Sequence, residues 1–321
     1  MPKVSVIILI YNTAMFLERC VRSLMEQTLT DIEYVFVDDA STDNSLAVLK
    51  KTLADYPERK QYVKVISNER NLGQAKSRIK AIRATTGEYV IHCDSDDYVD
   101  RNMYEMLYKK ATSEHLDMVW CDFYRTDGKQ DTVSLQHPAT DSMSFMKDIL
   151  IGKRMGTLWS HLVNGNIVRA HQYIMPASNL MEDVVLLMQY AFNAHSFGYV
   201  NRPLYYYFYS ETSITQNASS EKVLWQVKEM DKNILVIIRF LDAIEGGKKL
   251  HYYIDYRKYF NKRWLLPIVD KPKKCRLWLE EYPEINWSLF FNPLLTRRDK
   301  LVSFLVEIRL YPLIRKLLKG K

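Results

Sequence analysis

The sequence predicts an α/β fold: a mostly parallel central sheet flanked by helices, with a helical C-terminal extension. Three observations point there. Four short runs rich in valine and isoleucine recur within the first hundred residues, and a helical pattern separates each from the next. Beyond about residue 217, long amphipathic patterns replace the strand-like ones. Strand, helix, strand at this spacing builds a parallel sheet, because each crossover helix returns the chain to the same edge.

The first run, VSVIILIY (4–11), is continuously β-branched and aliphatic, as in a strand buried on both faces. A helix follows with Phe16, Leu17, Cys20, Val21 and Leu24 on one face and Thr13 as its expected N-cap. EYVFV (33–37) is the second strand, after which Ser41 or Thr42 is expected to open a helix reaching Ala54. YVKVI (62–66) is the third strand and precedes a helix from about Gly73 to Ala84. EYVIHC (88–93) is the fourth.

In such sheets ligands bind at the carboxyl ends of the strands. The residues there are Tyr11 and Asn12 after the first strand, DDASTD (38–43) after the second, SNERNLG (67–73) after the third and DSDD (94–97) after the fourth. The glycine-rich turns that cradle a dinucleotide or a triphosphate are absent: neither GxGxxG nor GxxxxGK[ST] occurs. A diphosphate then calls for a divalent cation held by carboxylates, and Asp94 and Asp96 have the D-x-D spacing for one. The competing reading of this cluster is a solvated turn, with Asp97 or Asp100 capping the helix that begins near Asn102.

Taken together, VSVIILIYN, VDDASTD, NLGQAKSRIKAI and TTGEYVIHCDSDD resemble the ordered motifs of family 2 glycosyltransferases of the GT-A fold. The resemblance is dense over residues 3 to 125. It continues through LWSHLV (158–163), MEDVVLL (181–187) and RPLYYYFYSETSIT (202–215), which are similar to the bacterial surface-polysaccharide branch. Departures are Leu9 in place of a usual proline, Ser77-Arg78-Ile79 in place of Ala-Arg-Asn, and His161 in place of a frequent lysine.

The resemblance implies roles. Asp39 hydrogen-bonds the nucleobase, with Tyr11 and Asn12 lining that pocket; its alternative is capping the following helix. Arg78 lies near the donor diphosphate, or else on a solvated helix face. Asp94 and Asp96 bind ribose and metal, Mn2+ or Mg2+, with Asp96 the more direct ligand. Residues 1–216 form the GT-A domain, in which 1–125 bind the nucleotide and 126–216 the acceptor, and 217–321 form a helical region.

Glu182 and Asp183 open a helical pattern over 178–192. Acids in a first turn also suit the helix dipole. The resemblance places the catalytic base in such a pair, with Asp183 the expected base and Glu182 the alternative. The aromatic run LYYYFYSETSIT (204–215) reads as a half-buried strand, and Trp159, His161 and His195 as core or pocket walls.

The implied activity is inverting transfer of a sugar from a nucleotide sugar, expected to be UDP-linked, to a hydroxyl acceptor in glycan or polysaccharide synthesis. The acceptor would be a glycan or a lipid-linked sugar. A synthase charging polyprenyl phosphate and a non-catalytic sugar-nucleotide-binding subunit are the alternatives.

Composition sets the remaining bounds. The four cysteines are scattered without a CxxC pair, which argues against a zinc site or a disulfide framework and for a reducing compartment. The opening run does not read as a signal peptide, and no stretch is long enough to span a bilayer, so a cytoplasmic location is expected. The net charge of +7 includes a tail, 297–321, in which basic residues interleave with leucine, isoleucine and phenylalanine. That tail is a candidate amphipathic helix for the inner membrane face, or a helix packed on the core. Nucleic acid is not an expected partner, because the basic residues form no aromatic-interleaved groove near the motifs.

Overall fold

The computed structural model describes residues 1–170, 172–209 and 219–319. Two compact units emerge. The first takes in Met1–Met146, Arg154–Met175 and the chain from Glu182 through the last strand; the second takes in Lys147–Lys153, Pro176–Met181 and the helices from Ser220 onward. The boundary at 216/217 lies outside the described residues, as do 210–215 of the aromatic run.

The strands are β1 Val4–Ile10, β2 Ile32–Asp38, β3 Val63–Ser67, β4 Tyr89–Asp94, β5 Tyr98–Val99, β6 Met118–Thr126, β7 Asp131–Ser134, β8 His161–Asn164 and β9 Phe197–Phe208. Between them run α1 Ala14–Met25, α2 Ser45–Ala54, α3 Gln74–Ala84, α4 Met103–Ser113, α5 Ser142–Leu150, α6 Gly165–Val168 and α7 Glu182–Asn193. The sheet order is β3-β2-β1-β4-β8-β6-β9-β5, with β7 on β6. Its first half, β3-β2-β1-β4, is entirely parallel. From β8 onward antiparallel pairs enter, so the sheet as a whole is mixed, as in GT-A arrangements.

Central position explains composition here. β1 and β2 are buried almost throughout, and each Val or Ile so removed from water stabilises the unit by about 1.5–3 kcal/mol. β3 lies at the sheet edge and is half-exposed. The core joins Val6, Ile8, Leu17, Phe36, Ile91, Phe123, Trp159 and Tyr205.

In the second unit, α8 Ser220–Ala243, α9 His251–Lys262, α10 Cys275–Glu280, α11 Ser288–Phe291, α12 Arg297–Glu307 and α13 Tyr311–Lys319 pack around Trp278, Tyr259, Val227 and Val306. Lys262 is buried there, its ammonium on Asn286 and 5.1 Å from the centre of the Trp278 ring. Burial pulls its pKa down to about 8. The tail read as one helix is two, because Arg309 takes left-handed backbone (φ 60°) between α12 and α13. Among the described residues no helix is long and apolar enough to cross a membrane.

Candidate active site

The parallel half brings the ends of β3, β2, β1 and β4 side by side, so their loops share one edge. After β1, Tyr11 is exposed and Asn12 sits in left-handed backbone (φ 53°); after β2, Ala40 does the same (φ 59°). Such conformations in residues with a Cβ cost free energy and persist where surrounding bonds enforce them. Here the Asn12 side-chain oxygen accepts from Thr42 N–H at 2.8 Å, and the Asn12 N–H donates to Ser41 Oγ at 3.2 Å. Ser41 and Thr42 are thus committed to the β1 loop, and α2 begins at Ser45 instead of at either of them. Thr13 stands at the α1 N-cap position, but its hydroxyl donates to Ser95 Oγ; Asp43 accepts the Ala14 N–H at 3.1 Å in its place.

Asp39 is buried and accepts from Asn68 Nδ2 and Leu72 N–H at 2.8 Å and from Gly73 N–H at 2.9 Å. Gly73 takes φ 85°, a geometry glycine adopts without strain. Asp39 therefore serves the head of α3, and not the start of α2.

The acidic turn after β4 is built by division of labour. Asp97 is buried with both oxygens used: Oδ2 accepts the Tyr205 hydroxyl and Oδ1 the Phe208 N–H, each at 2.7 Å. It neither caps α4 nor faces solvent; Asp100 accepts the Asn102 N–H at the start of that helix. Tyr205 is itself stacked on Trp159, with ring centroids 4.1 Å apart. Arg19 braces the other side, its Nη2 donating to the Asp96 carbonyl at 2.9 Å and its guanidinium lying 4.4 Å from the Tyr98 ring centre.

With the turn held this way, the Asp94 and Asp96 carboxylates accept no hydrogen bond from any other described residue. Burial raises the Asp94 carboxyl against the pull of Arg78. Burial and the neighbouring Asp94 push Asp96 up to about 6. Two hard oxygen donors that repel each other and lack competing donors fit a divalent cation. Among the described residues no three His, Cys, Asp or Glu side chains are grouped to hold a metal ion; Asp94 and Asp96 are the pair that would hold one, with phosphate or water able to supply further oxygens.

Arg78 is buried, not on a solvated face. Its Nη2 donates to Glu182 Oε1 at 2.9 Å and its Nη1 to His92 Nδ1 at 2.8 Å. Burial works against the guanidinium charge, but Glu182, Asp94 and Asp183 together hold its pKa above the ordinary value. Accepting at Nδ1 fixes the His92 proton on Nε2, and burial with Arg78 beside it keeps the ring neutral. Asp183, the next residue on α7, is only partly buried; among the described residues its carboxylate accepts only the Val184 N–H, at 2.9 Å. Burial first and Glu182 second, with Asp94 adding to them, push its pKa up to about 8.

Arg19, His92 and Tyr205 escaped the sequence reading. His92 looked like one more strand residue, and Tyr205 one tyrosine of an aromatic run. His161 is core as expected: burial, then Arg154, lowers its pKa to about 3 and its Nδ1 lies 2.7 Å from the Thr157 carbonyl. His195 is exposed, so it is not a core residue.

The family model described as Glycosyl transferase family 2 matches residues 5–169. The cholesterol galactosyltransferase of Borreliella burgdorferi is 31% identical over 286 residues, covering 82% of this chain and 77% of that protein. Among solved structures, residues 1–349 of Staphylococcus aureus TarS in complex with UDP-GlcNAc superpose with a TM-score of 0.60 at 16% identity, covering 99% of this chain and 92% of that one. The mannosyltransferase PcManGT of Pyrobaculum calidifontis, in complex with GDP-Man and Mn2+, superposes with a TM-score of 0.56 at 13% identity, covering 100% of this chain and 88% of that one.

Proposed function

The chain belongs to glycosyl transferase family 2, and from that premise we propose that it moves a sugar from a UDP-linked donor to a hydroxyl acceptor with inversion at the anomeric carbon. One observation carries the reading: Arg78 occupies Glu182 and leaves Asp183, at the same helix start, with no cation among the described residues in hydrogen-bond reach and with the Asp94 charge acting on it.

In this proposal Asp183 is the general base. Its carboxylate takes the acceptor hydroxyl proton as the oxygen attacks the anomeric carbon, and the bond to the diphosphate breaks with its electron pair on the leaving group. A pKa near the working pH is what such a base needs, and burial beside Glu182 supplies it. Asp39 holds the nucleobase, with Tyr11 and Asn12 lining the pocket. Arg78, whose Nη1 and Nη2 are spent on His92 and Glu182, acts on the diphosphate through its charge. Asp94 and Asp96 would hold a divalent cation, Mn2+ or Mg2+, whose chemistry is to neutralise the leaving diphosphate. The UDP assignment is supported by the likeness to TarS, solved with UDP-GlcNAc, and the hydroxyl acceptor by the relative named for transferring galactose to cholesterol.

The test is a panel of nucleotide sugars assayed with Mn2+ for release of nucleoside diphosphate, with and without hydroxyl acceptors. Acceptor-dependent release from a UDP-sugar supports the proposal. Donor binding without release under any condition would mean a binding subunit, and release driven only by polyprenyl phosphate would mean a synthase.

A further inference from the structure

The C-terminal unit turns apolar side chains outward on α11, α12 and α13. Trp287 is 77% exposed and Phe291 82%. On α12 the inward face holds Ser303 and Val306, while Arg297, Leu301, Phe304 and Ile308 follow one another along the outward face. Phe290 connects the helices, its ring centroid 6.1 Å from that of Trp287 and 6.4 Å from that of Phe304. On α13, Leu313 and Leu317 stand one turn apart and exposed.

Charge along this stretch of the chain is one-sided. Between Trp287 and Leu317 the sequence has six basic residues and two acidic ones. Asp299 is committed to the α12 capping box and to the Tyr259 hydroxyl, and Glu307 is half-buried. Arg315 donates to the Leu266 and Pro267 carbonyls, whereas Arg297, Arg298, Arg309 and Lys316 are exposed.

We propose that this face docks on an anionic lipid bilayer. Trp287, Phe291, Leu301 and Phe304 enter the headgroup region, and Arg297, Arg298 and Lys316 meet lipid phosphates. Exposed aromatic and leucine side chains bordered by arginine and lysine combine the two forces that hold a protein at such an interface: apolar burial and attraction to anionic lipid. A second copy of the chain is the poorer occupant, since two faces of like charge repel. The surface starts upstream of the basic tail, at Trp287, and the inference does not depend on the transfer chemistry.

The experiment is sedimentation of the full chain with vesicles of phosphatidylcholine alone or mixed with phosphatidylglycerol. Binding to the mixed vesicles only, weakened by salt, is the expected result. The pair Trp287→Ser and Phe291→Ser should lower vesicle partitioning about tenfold or more, and the pair Arg297→Glu and Arg298→Glu should do likewise, both with an unchanged melting temperature. The proposal is overturned if the intact chain ignores mixed vesicles at low salt, or if the folded variants bind them as well as it does. A concentration-dependent dimer that Phe304→Glu dissolves, in a chain that leaves vesicles alone, would assign the face to a second copy instead.

Discussion

Arg78 Nη2 stands 2.9 Å from Glu182 Oε1, with both side chains 4% exposed. The distance is that of a charge-assisted hydrogen bond, and it puts two adjacent acids in different surroundings. Burial lifts the Glu182 carboxyl while Arg78 pulls it back toward the carboxylate. Among the described residues Asp183 has no such hydrogen-bonded partner, and burial with Glu182 beside it pushes its carboxyl up to about 8.

Asp183→Asn should retain donor binding while transfer falls by ~10²–10⁴, the loss typical of a missing general base. Titration calorimetry with UDP beside a transfer assay separates the two. Normal transfer by Asp183→Asn together with a dead Glu182→Gln would reverse the roles.

The pH profile follows from the same group. Only the deprotonated form of Asp183 accepts a proton, so kcat/KM should decline as pH falls below about 8. Stability should move oppositely. The folded chain holds a proton that the unfolded chain releases above its lower pKa, so this contribution is full below about pH 4 and is lost as pH rises to about 8. Melting temperatures between pH 6 and pH 9 should therefore fall more steeply in the wild type than in Asp183→Asn; equal slopes would contradict the assignment.

Removing Arg78 strands a buried acid. Arg78→Ala should destabilise the chain by about 3–5 kcal/mol, and adding Glu182→Gln should recover some of that loss. Denaturant unfolding of the two single variants and the double variant measures the coupling. Strict additivity would mean the pair contributes nothing.

Asp39→Ala deletes the acceptor shared by Asn68, Leu72 and Gly73. Donor affinity should drop by about tenfold or more, in line with hydrogen bonds to a charged group, with the metal requirement unchanged. An unaltered dissociation constant would restrict Asp39 to its role at the head of α3.

Chelation should abolish transfer, and Asp96→Asn should bind UDP with the same affinity whether Mn2+ is present or absent. Full turnover in excess EDTA would rule out the cation.

What the sequence made legible was whatever is written locally. β1, β2 and β4 stood out because interior parallel strands are runs of mostly apolar residues, β3 at the sheet edge stood out by its β-branched residues alone, and the acids after β2 and β4 stood out as abrupt ends to those runs. The paired acids of α7 were visible for the same reason. The partners were not. Nothing in Ser77-Arg78-Ile79 announces a carboxylate 104 residues later, nor does Asp97 announce Tyr205. The start of α2 was misplaced because two good capping residues were claimed by Asn12 across a loop, a tertiary bond that no local pattern encodes. The break in the tail was hidden because Arg309, not a glycine, takes the left-handed turn.

The Asp97–Tyr205 bond also has a consequence in time. Residue 97 leaves the ribosome long before residue 205, and until β9 is made the acidic turn lacks the hydroxyl and the amide that anchor it. Arg78 likewise waits for Glu182. Closing loops of that length comes late in folding, after the local helices and the early strand pairs. A nascent chain can therefore assemble its parallel half during synthesis while the acidic turn still waits for β9 and Arg78 still waits for the start of α7.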